Sequence, residues 1–159
     1  MRKLYITKIH IILEILSYVL IAVCFIIALI GVRTLPAEIA THYDLAGNPD
    51  GYGSPAALFV MPAVMLFCNM VMSGVVHFVN PDFWNMPFKV KETKKILVYR
   101  DIVSMMVWME LEMGLFTLVF TIMSYEQEMA GAMALSILLI AAFTGTVIGF
   151  CVRGAKHNK

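Results

Sequence analysis

Charge is what this sequence has least of. Only 14% of its 159 residues are Asp, Glu, Lys or Arg, while 60% are hydrophobic and the mean hydropathy is +0.82. A soluble globular domain carries about a quarter charged residues, so this chain lacks the polar surface to cover itself in water. That excludes a soluble enzyme, and the same abundance of apolar residues excludes a disordered chain. Cysteine is scarce too. Cys24, Cys68 and Cys151 all lie in apolar runs, are odd in number, and show no metal-site or disulfide-framework spacing. A secreted disulfide scaffold is therefore excluded, and the three read as small hydrophobes. The chain also lacks a P-loop, a nucleophile elbow, a paired-carboxylate hydrolase site, and the HxxxH or CxxC spacing of a metal centre. A non-enzymatic protein with no cofactor and no metal is expected.

What is present is a set of long apolar runs. They cover about residues 9–32, 55–79, 96–123 and 130–152, separated by an outer loop at 33–54 and a cytoplasmic loop at 80–95. The uncharged stretch from Ile15 to Val32 is about 27 Å long at 1.5 Å per residue, close to the thickness of a hydrocarbon layer. The pentapeptide before Phe25, Leu20 to Cys24, resembles a lipoprotein cleavage box only loosely, because Val23 precedes the cysteine. An uncleaved helix is expected. The third run is the least apolar, with Arg100 and Asp101 near its start and Glu110 and Glu112 in its middle. It is still read as a span, because Gly114 to Met123 alone is too short to cross. The fold expected is an all-α integral membrane protein: one domain, a bundle of four transmembrane helices.

Orientation follows from the basic residues. Arg2, Lys3 and Lys8 precede the first span; Lys89, Lys91, Lys94, Lys95 and Arg100 lie between the second and third; Arg153, Lys156 and Lys159 close the chain. Only Arg33 falls on the other side, so both termini are expected in the cytoplasm. The lysines of the inner loop are read as contacts to anionic lipid rather than to nucleic acid.

In the outer loop, Asn48-Pro49-Asp50-Gly51 is a turn sequence. Gly47, Gly51 and Gly53 are expected to supply positive φ around it, making the loop a compact cap. His42, Asp44 and Asp50 are expected to satisfy backbone groups of that cap rather than to bind a metal. The stretch Leu35-Pro36-Ala37-Glu38-Ile39-Ala40-Thr41-His42-Tyr43-Asp44-Leu45-Ala46-Gly47-Asn48-Pro49-Asp50-Gly51-Tyr52-Gly53-Ser54 resembles the signature LPxxIPxH[FY]xxxGxPDGxGS of a bacterial membrane domain of unknown function. That domain also forms the N-terminal part of SdpI-like proteins, which give immunity against the sporulation-delaying peptide toxin. Asn80-Pro81-Asp82-Phe83-Trp84-Asn85-Met86-Pro87 is similar to the family's second motif, NPxxxNxP, through Asn80, Pro81, Asn85 and Pro87. The resemblance covers about residues 8 to 100. It implies a multi-pass protein of the bacterial cell membrane, with immunity or signalling among its roles. Ala40 stands where the pattern has proline, which implies a looser first turn.

Inside the bilayer a charged side chain costs about 2.5–3.5 kcal/mol on insertion scales, so it should face protein or water. Glu110 and Glu112 are about 200° apart around a helix and cannot form a dyad. Glu110 lines up with Gly114, Thr117 and Thr121 as an inward seam. Glu112 lines up with Trp108, Met105 and Asp101 and needs a partner helix, a neighbouring protomer or a proton. On the second span Asn69, Ser73 and His77 share one face, and equal depth predicts a hydrogen bond between Asn69 and Glu110. Such a bond fixes helix packing. The alternatives are a proton or cation relay from Glu110 toward His77 and Glu14, or a polar lining for a lipid or peptide. Met105, Met106, Met109 and Met113 are read as flexible packing rather than a soft-metal path. On the fourth span Ala141, Gly145 and Gly149 form a small-residue ridge expected to pack within the chain, with a homo-oligomer through Gly145 and Gly149 as the alternative. Two functions stay open: recognition of a peptide or membrane-protein partner, and a small transporter or channel subunit using the intramembrane Glu and Asn groups.

Overall fold

The computed structural model describes residues 3–44 and 46–159. Arg2, one of the basic residues behind the orientation, and Leu45 of the loop motif lie outside them. The chain order is α1 (Lys8–Thr34), β1 (Ile39–Tyr43), β2 (Pro49–Gly53), α2 (Val60–Phe78), α3 (Lys95–Glu126) and α4 (Ala132–His157), with short 3-10 turns at Pro55–Phe59, Pro81–Phe83 and Glu92–Lys94. Four helical stretches are long and apolar enough to cross a membrane: Lys8–Thr34, Pro55–Phe78, Glu92–Glu126 and Ala132–His157.

The helix ends follow local chemistry. Thr7 and His10 cap α1 reciprocally: the Thr7 hydroxyl accepts from the His10 amide at 3.4 Å, and His10 Nδ1 accepts from the Thr7 amide at 3.3 Å. The reversal between α3 and α4 rests on two left-handed residues, Gln127 (φ 59°) and Gly131 (φ 96°). The fourth helix outlasts its apolar run by a turn. Arg153 and His157 reach Asp101 on α3, at 2.9 Å and 2.6 Å, which gives the basic end of α4 a reason to stay helical.

α3 is the central helix. Val98, Val103, Val107, Glu110, Leu111 and Thr117 are buried on different sides of it, whereas Gly154 is the one buried residue of α4. This explains why the third run is the least apolar: its polar groups face other helices rather than lipid. α1 and α3 approach closely at Gly114, where an added Cβ would lie 3.0 Å from the Ser17 hydroxyl and 3.2 Å from the Ser17 carbonyl.

Both termini and the α2–α3 connection gather at one end of the bundle, here called the terminal end. Lys3 donates to the carbonyls of Val76 and His77 at 3.1 and 2.8 Å, and the Arg100 guanidinium donates to the Leu4 carbonyl at 3.2 Å. Asp82 accepts from the Tyr99 hydroxyl at 2.6 Å and pairs with Lys95 at 2.9 Å; the Tyr99 bond, then Lys95, hold its carboxyl below the usual carboxylate range.

The other end carries strand structure that the all-α expectation omitted. β1 and β2 form an antiparallel hairpin pairing Ile39 with Gly53, Ala40 with Tyr52, His42 with Gly51, and Tyr43 with Pro49. Its turn is not Asn48-Pro49-Asp50-Gly51, because Pro49 to Gly51 lie inside β2. Asp44 wins the turn instead: its carboxylate accepts from the amides of Ala46 and Asn48, both at 2.8 Å, and from the Asn48 side chain at 3.0 Å. Those bonds, the Asn48 side chain first, hold the Asp44 carboxyl below its ordinary range. Only Gly47 among the three loop glycines takes positive φ, at 88°.

Gly51 is required for a different reason. A Cβ there would lie 2.9 Å from the His42 Cβ across the hairpin, closer than real Cβ atoms come. Gly51→Val is therefore expected to pry the strands apart and speed proteolytic cleavage between Ile39 and Gly53 in detergent-purified protein. Cleavage at the wild-type rate would contradict this register.

The ridge of α4 also differs from expectation. An added Cβ at Gly145 or Gly149 would meet nothing within 4 Å. The ridge looks away from the described chain: Thr146, Arg153 and His157, which tie α4 to Glu112 and Asp101 of α3, are centred about 100° around the helix from it.

Candidate functional site

Two places in the bundle concentrate chemistry: a polar cluster between α1, α2 and α3, and a cavity beneath the hairpin.

The cluster centres on Ser17, which the sequence analysis did not single out. The Asn69 amide donates to the Ser17 hydroxyl at 2.6 Å, and that hydroxyl donates to the backbone carbonyl of Glu110 at 2.5 Å. The predicted bond between the side chains of Asn69 and Glu110 is thus not the one made. Ser17 lies between them because α1, not α2, is the helix packed most closely on Gly114. The Glu110 carboxylate instead accepts from the Ser73 hydroxyl at 3.0 Å, and Tyr18 hydrogen-bonds Ser73 at 2.9 Å. One helical turn closer to the terminal end, His77 Nε2 meets the Glu14 carboxylate at 2.9 and 3.0 Å. One turn further along α1, His10 Nε2 lies 2.9 Å from the Ser104 hydroxyl. The structure therefore brings together Glu14, Asn69, Ser73, His77 and Glu110.

Glu112 stands apart from them. Its carboxylate accepts from Thr146 of α4 at 2.5 Å, so a partner helix in the same chain answers the demand for one. Asp101, with Arg153 and His157, forms a second α3–α4 tie. No sequence spacing announces that cluster, since it needs the register of two helices.

The cavity has a volume of about 270 Å³. Ile39, Ala40, Thr41 and Tyr43 of β1 roof it, Leu58, Val60, Met61 and Val64 form one wall, and Phe120, Thr121 and Ser124 of α3 form the floor. Burial pushes the Tyr43 hydroxyl above its ordinary range. Val60 and Val64 are exposed, so this wall lies at the apolar flank of the bundle. Gln127 pins the roof from below: its side-chain oxygen accepts from the Ala40 amide at 2.7 Å. A proline at position 40 has no such hydrogen to give. The loop is thus anchored, not loosened, where this chain departs from the motif.

The remaining motif residues are structural. Leu35 packs with Ala28, Ile39 and Leu58, and Gly47 makes the turn beside Met129, whose carbonyl lies 3.4 Å from where a Cβ would sit. His42 pairs with Asp50 on the exposed side of the hairpin. Pro36 and Pro49 are exposed. In the second motif the Asn80 side chain caps the Pro81–Phe83 turn by accepting from the Asp82 amide at 3.1 Å. Pro81 is buried there, while Asn85 and Pro87 are exposed.

The fold defines a multi-pass protein with four helices suited to a membrane. Within it, residues 19–66 match a family described as "Domain of unknown function (DUF1648)". No curated protein and no solved structure matches the chain. The matched segment runs from the middle of α1 through the hairpin to the first turns of α2, and so includes the roof and one wall of the cavity.

Proposed function

We propose that this is a non-enzymatic protein of the bacterial cell membrane, with its hairpin outside and both termini in the cytoplasm, that recognises an apolar segment of a peptide partner in the cavity beneath the hairpin. The observation that carries the reading is the cavity's construction. Its roof is the strand of the loop motif, its wall reaches the exposed apolar flank at Val60 and Val64, and the family match spans the roof and that wall. At about 270 Å³ it is smaller than the roughly 300–1,000 Å³ of sites that engulf a small molecule. It suits one or two large side chains of something held mostly outside it. A hydrophobic peptide toxin has that chemistry, and the likeness of the loop to SdpI-like proteins supports an immunity role. Transport is a second reading, favoured by the polar cluster, but Ile21 and Thr117 close the seam above Glu110 with almost no exposed surface.

The reading is tested by challenge. Toxin-sensitive cells expressing the wild type should survive the sporulation-delaying peptide. Met61→Trp, which fills the cavity, should lose protection at equal expression, and Ile137→Trp on the exposed face of α4 should keep it. Wild-type cells that die, or Met61→Trp cells that survive, would contradict the proposal. For the orientation, single cysteines replacing Asn48 or Glu128, in a background without the native three, should react with an impermeant thiol reagent in intact cells. One replacing Lys94 should not. Labelling at Lys94 from outside would invert the topology.

A further inference from the structure

We propose that Glu110 binds a proton inside the bundle, and that Glu110, Asn69, Ser17 and Ser73 form a proton-binding site loaded through the Glu14–His77 pair at the terminal end. Two oxygens carry the inference. Glu110 Oε2 and Asn69 Oδ1 are buried without a hydrogen-bond partner, and both belong to side chains with no exposed surface. Buried polar groups are normally paired, and here the neighbouring hydroxyl donors are already spent, with one Asn69 amide hydrogen committed as well. The Asn69 amide is on Ser17, the Ser17 hydroxyl is on the Glu110 carbonyl, and the Ser73 hydroxyl is on Glu110 Oε1. A hydroxyl has one hydrogen to give, so Ser73 accepts from Tyr18 and offers nothing more. A hydrogen on Glu110 Oε2 turns that orphan acceptor into a donor, and Asn69 Oδ1 on α2 is, among the described residues, the one other buried oxygen of the cluster that lacks a donor.

Charge balance asks for the same hydrogen. Among the described residues, the titratable groups facing Glu110 are Glu14 and Tyr18 from α1 and His77 from α2. His77 is held by Glu14. α4 meets α3 on the opposite side, where Thr146 binds Glu112. Glu110 therefore has no cation of its own, and an unpaired carboxylate in a dry interior is strongly disfavoured.

The hydroxyls are oriented for delivery. Tyr18 donates to Ser73 and Ser73 donates to Glu110, while Glu14 lies one turn from Tyr18 and His77 one turn from Ser73, a rise of about 5.4 Å on each helix. A proton leaving Glu14 is taken by the Tyr18 oxygen as Tyr18 gives its own to Ser73 and Ser73 gives its own to Glu110. One proton leaves Glu14 and one arrives at Glu110 Oε1, the oxygen that Ser73 binds; a half-turn of the carboxyl carries it to the orphan's position and returns a bare oxygen to Ser73, and each hydroxyl ends with the hydrogen count it began with. Glu14 keeps its contact with His77 Nε2, at 2.9 and 3.0 Å. Above Glu110 the seam is dry: Ile21 is 1% exposed, and the Thr117 hydroxyl is spent on the Met113 carbonyl at 2.6 Å. The site loads from one end only.

Infrared difference spectra of the purified protein in phosphatidylcholine liposomes, stepped between acidic and alkaline buffer, test this. The wild type should show a buried protonated-carboxyl stretch at neutral pH that vanishes in Glu110→Gln, persists in Glu112→Gln, and moves to higher frequency in Asn69→Leu. Absence of the band in the wild type, or its survival in Glu110→Gln, would overturn the proposal. If Glu110→Gln fails to fold, the Glu112→Gln variant decides: the band must remain, and its loss overturns the assignment. Tyr18→Phe should keep the band but slow its response to a pH jump by about a hundredfold, the lower range for a positioned proton-transfer group. An unchanged rate overturns the route.

Discussion

Gly114→Val is expected to destabilise the protein in detergent by about 1–3 kcal/mol, the usual cost of forcing extra methyl groups into a packed seam. The reason is where the new Cβ would go. It would lie 3.0 Å from the Ser17 hydroxyl, 3.2 Å from the Ser17 carbonyl and 3.3 Å from the Leu20 side chain. The carbonyl belongs to the backbone of α1 and cannot rotate aside, so α1 must move away from α3. Ser17 then loses its reach to the Glu110 carbonyl, and Asn69 loses its acceptor. Gly114→Ala should show a smaller loss in the same direction. Equilibrium unfolding in a graded denaturing detergent measures both, and a Gly114→Val protein as stable as the wild type would mean that α1 and α3 are not this close.

Glu110→Leu should cost a similar amount, about 1–3 kcal/mol, because it takes away the acceptor of the part-buried Ser73 hydroxyl, now bonded to the carboxylate at 3.0 Å. Glu110→Gln keeps the shape and an acceptor for Ser73 and should stay within about 1 kcal/mol of wild type. Glu112→Leu removes one bond, from Thr146 on the sparsely buried α4, and should cost about 1 kcal/mol. The order of the losses matters more than their size. A Glu112→Leu protein less stable than Glu110→Leu would place the interior seam on the α4 side.

The seam of α3 was readable from spacing alone, since Glu110, Gly114, Thr117 and Thr121 recur on one face of a helix, and all are buried. Its partner on α1 was written just as regularly. His10, Ser17, Ile21, Cys24, Ala28 and Gly31 are the buried residues of that helix, and Glu14 falls on the same face. Hydropathy hid it, because serine, cysteine and glycine hardly lower the score of so apolar a run. That is why Asn69 was paired directly with Glu110 when Ser17 stands between them. The hairpin was misplaced for a local reason. Asn48-Pro49-Asp50-Gly51 has the composition of a turn, but the Asp44 carboxylate collects three donors and fixes the reversal earlier. The Asp101 tie to Arg153 and His157, and the outward aim of Gly145 and Gly149, depend on how α4 is rotated against α3. No pattern within a single helix encodes that rotation.

The cavity beneath the hairpin is where the functional account stands, and it can be probed by contact. A benzophenone side chain in place of Met61, irradiated in living cells supplied with the peptide toxin, should form a covalent adduct with the peptide. The same group replacing Ile137, which sits 60% exposed on α4, should form none. Adduct at Met61 alone is the result expected of a peptide seated under the hairpin; no adduct there, or equal yields at both positions, would contradict it.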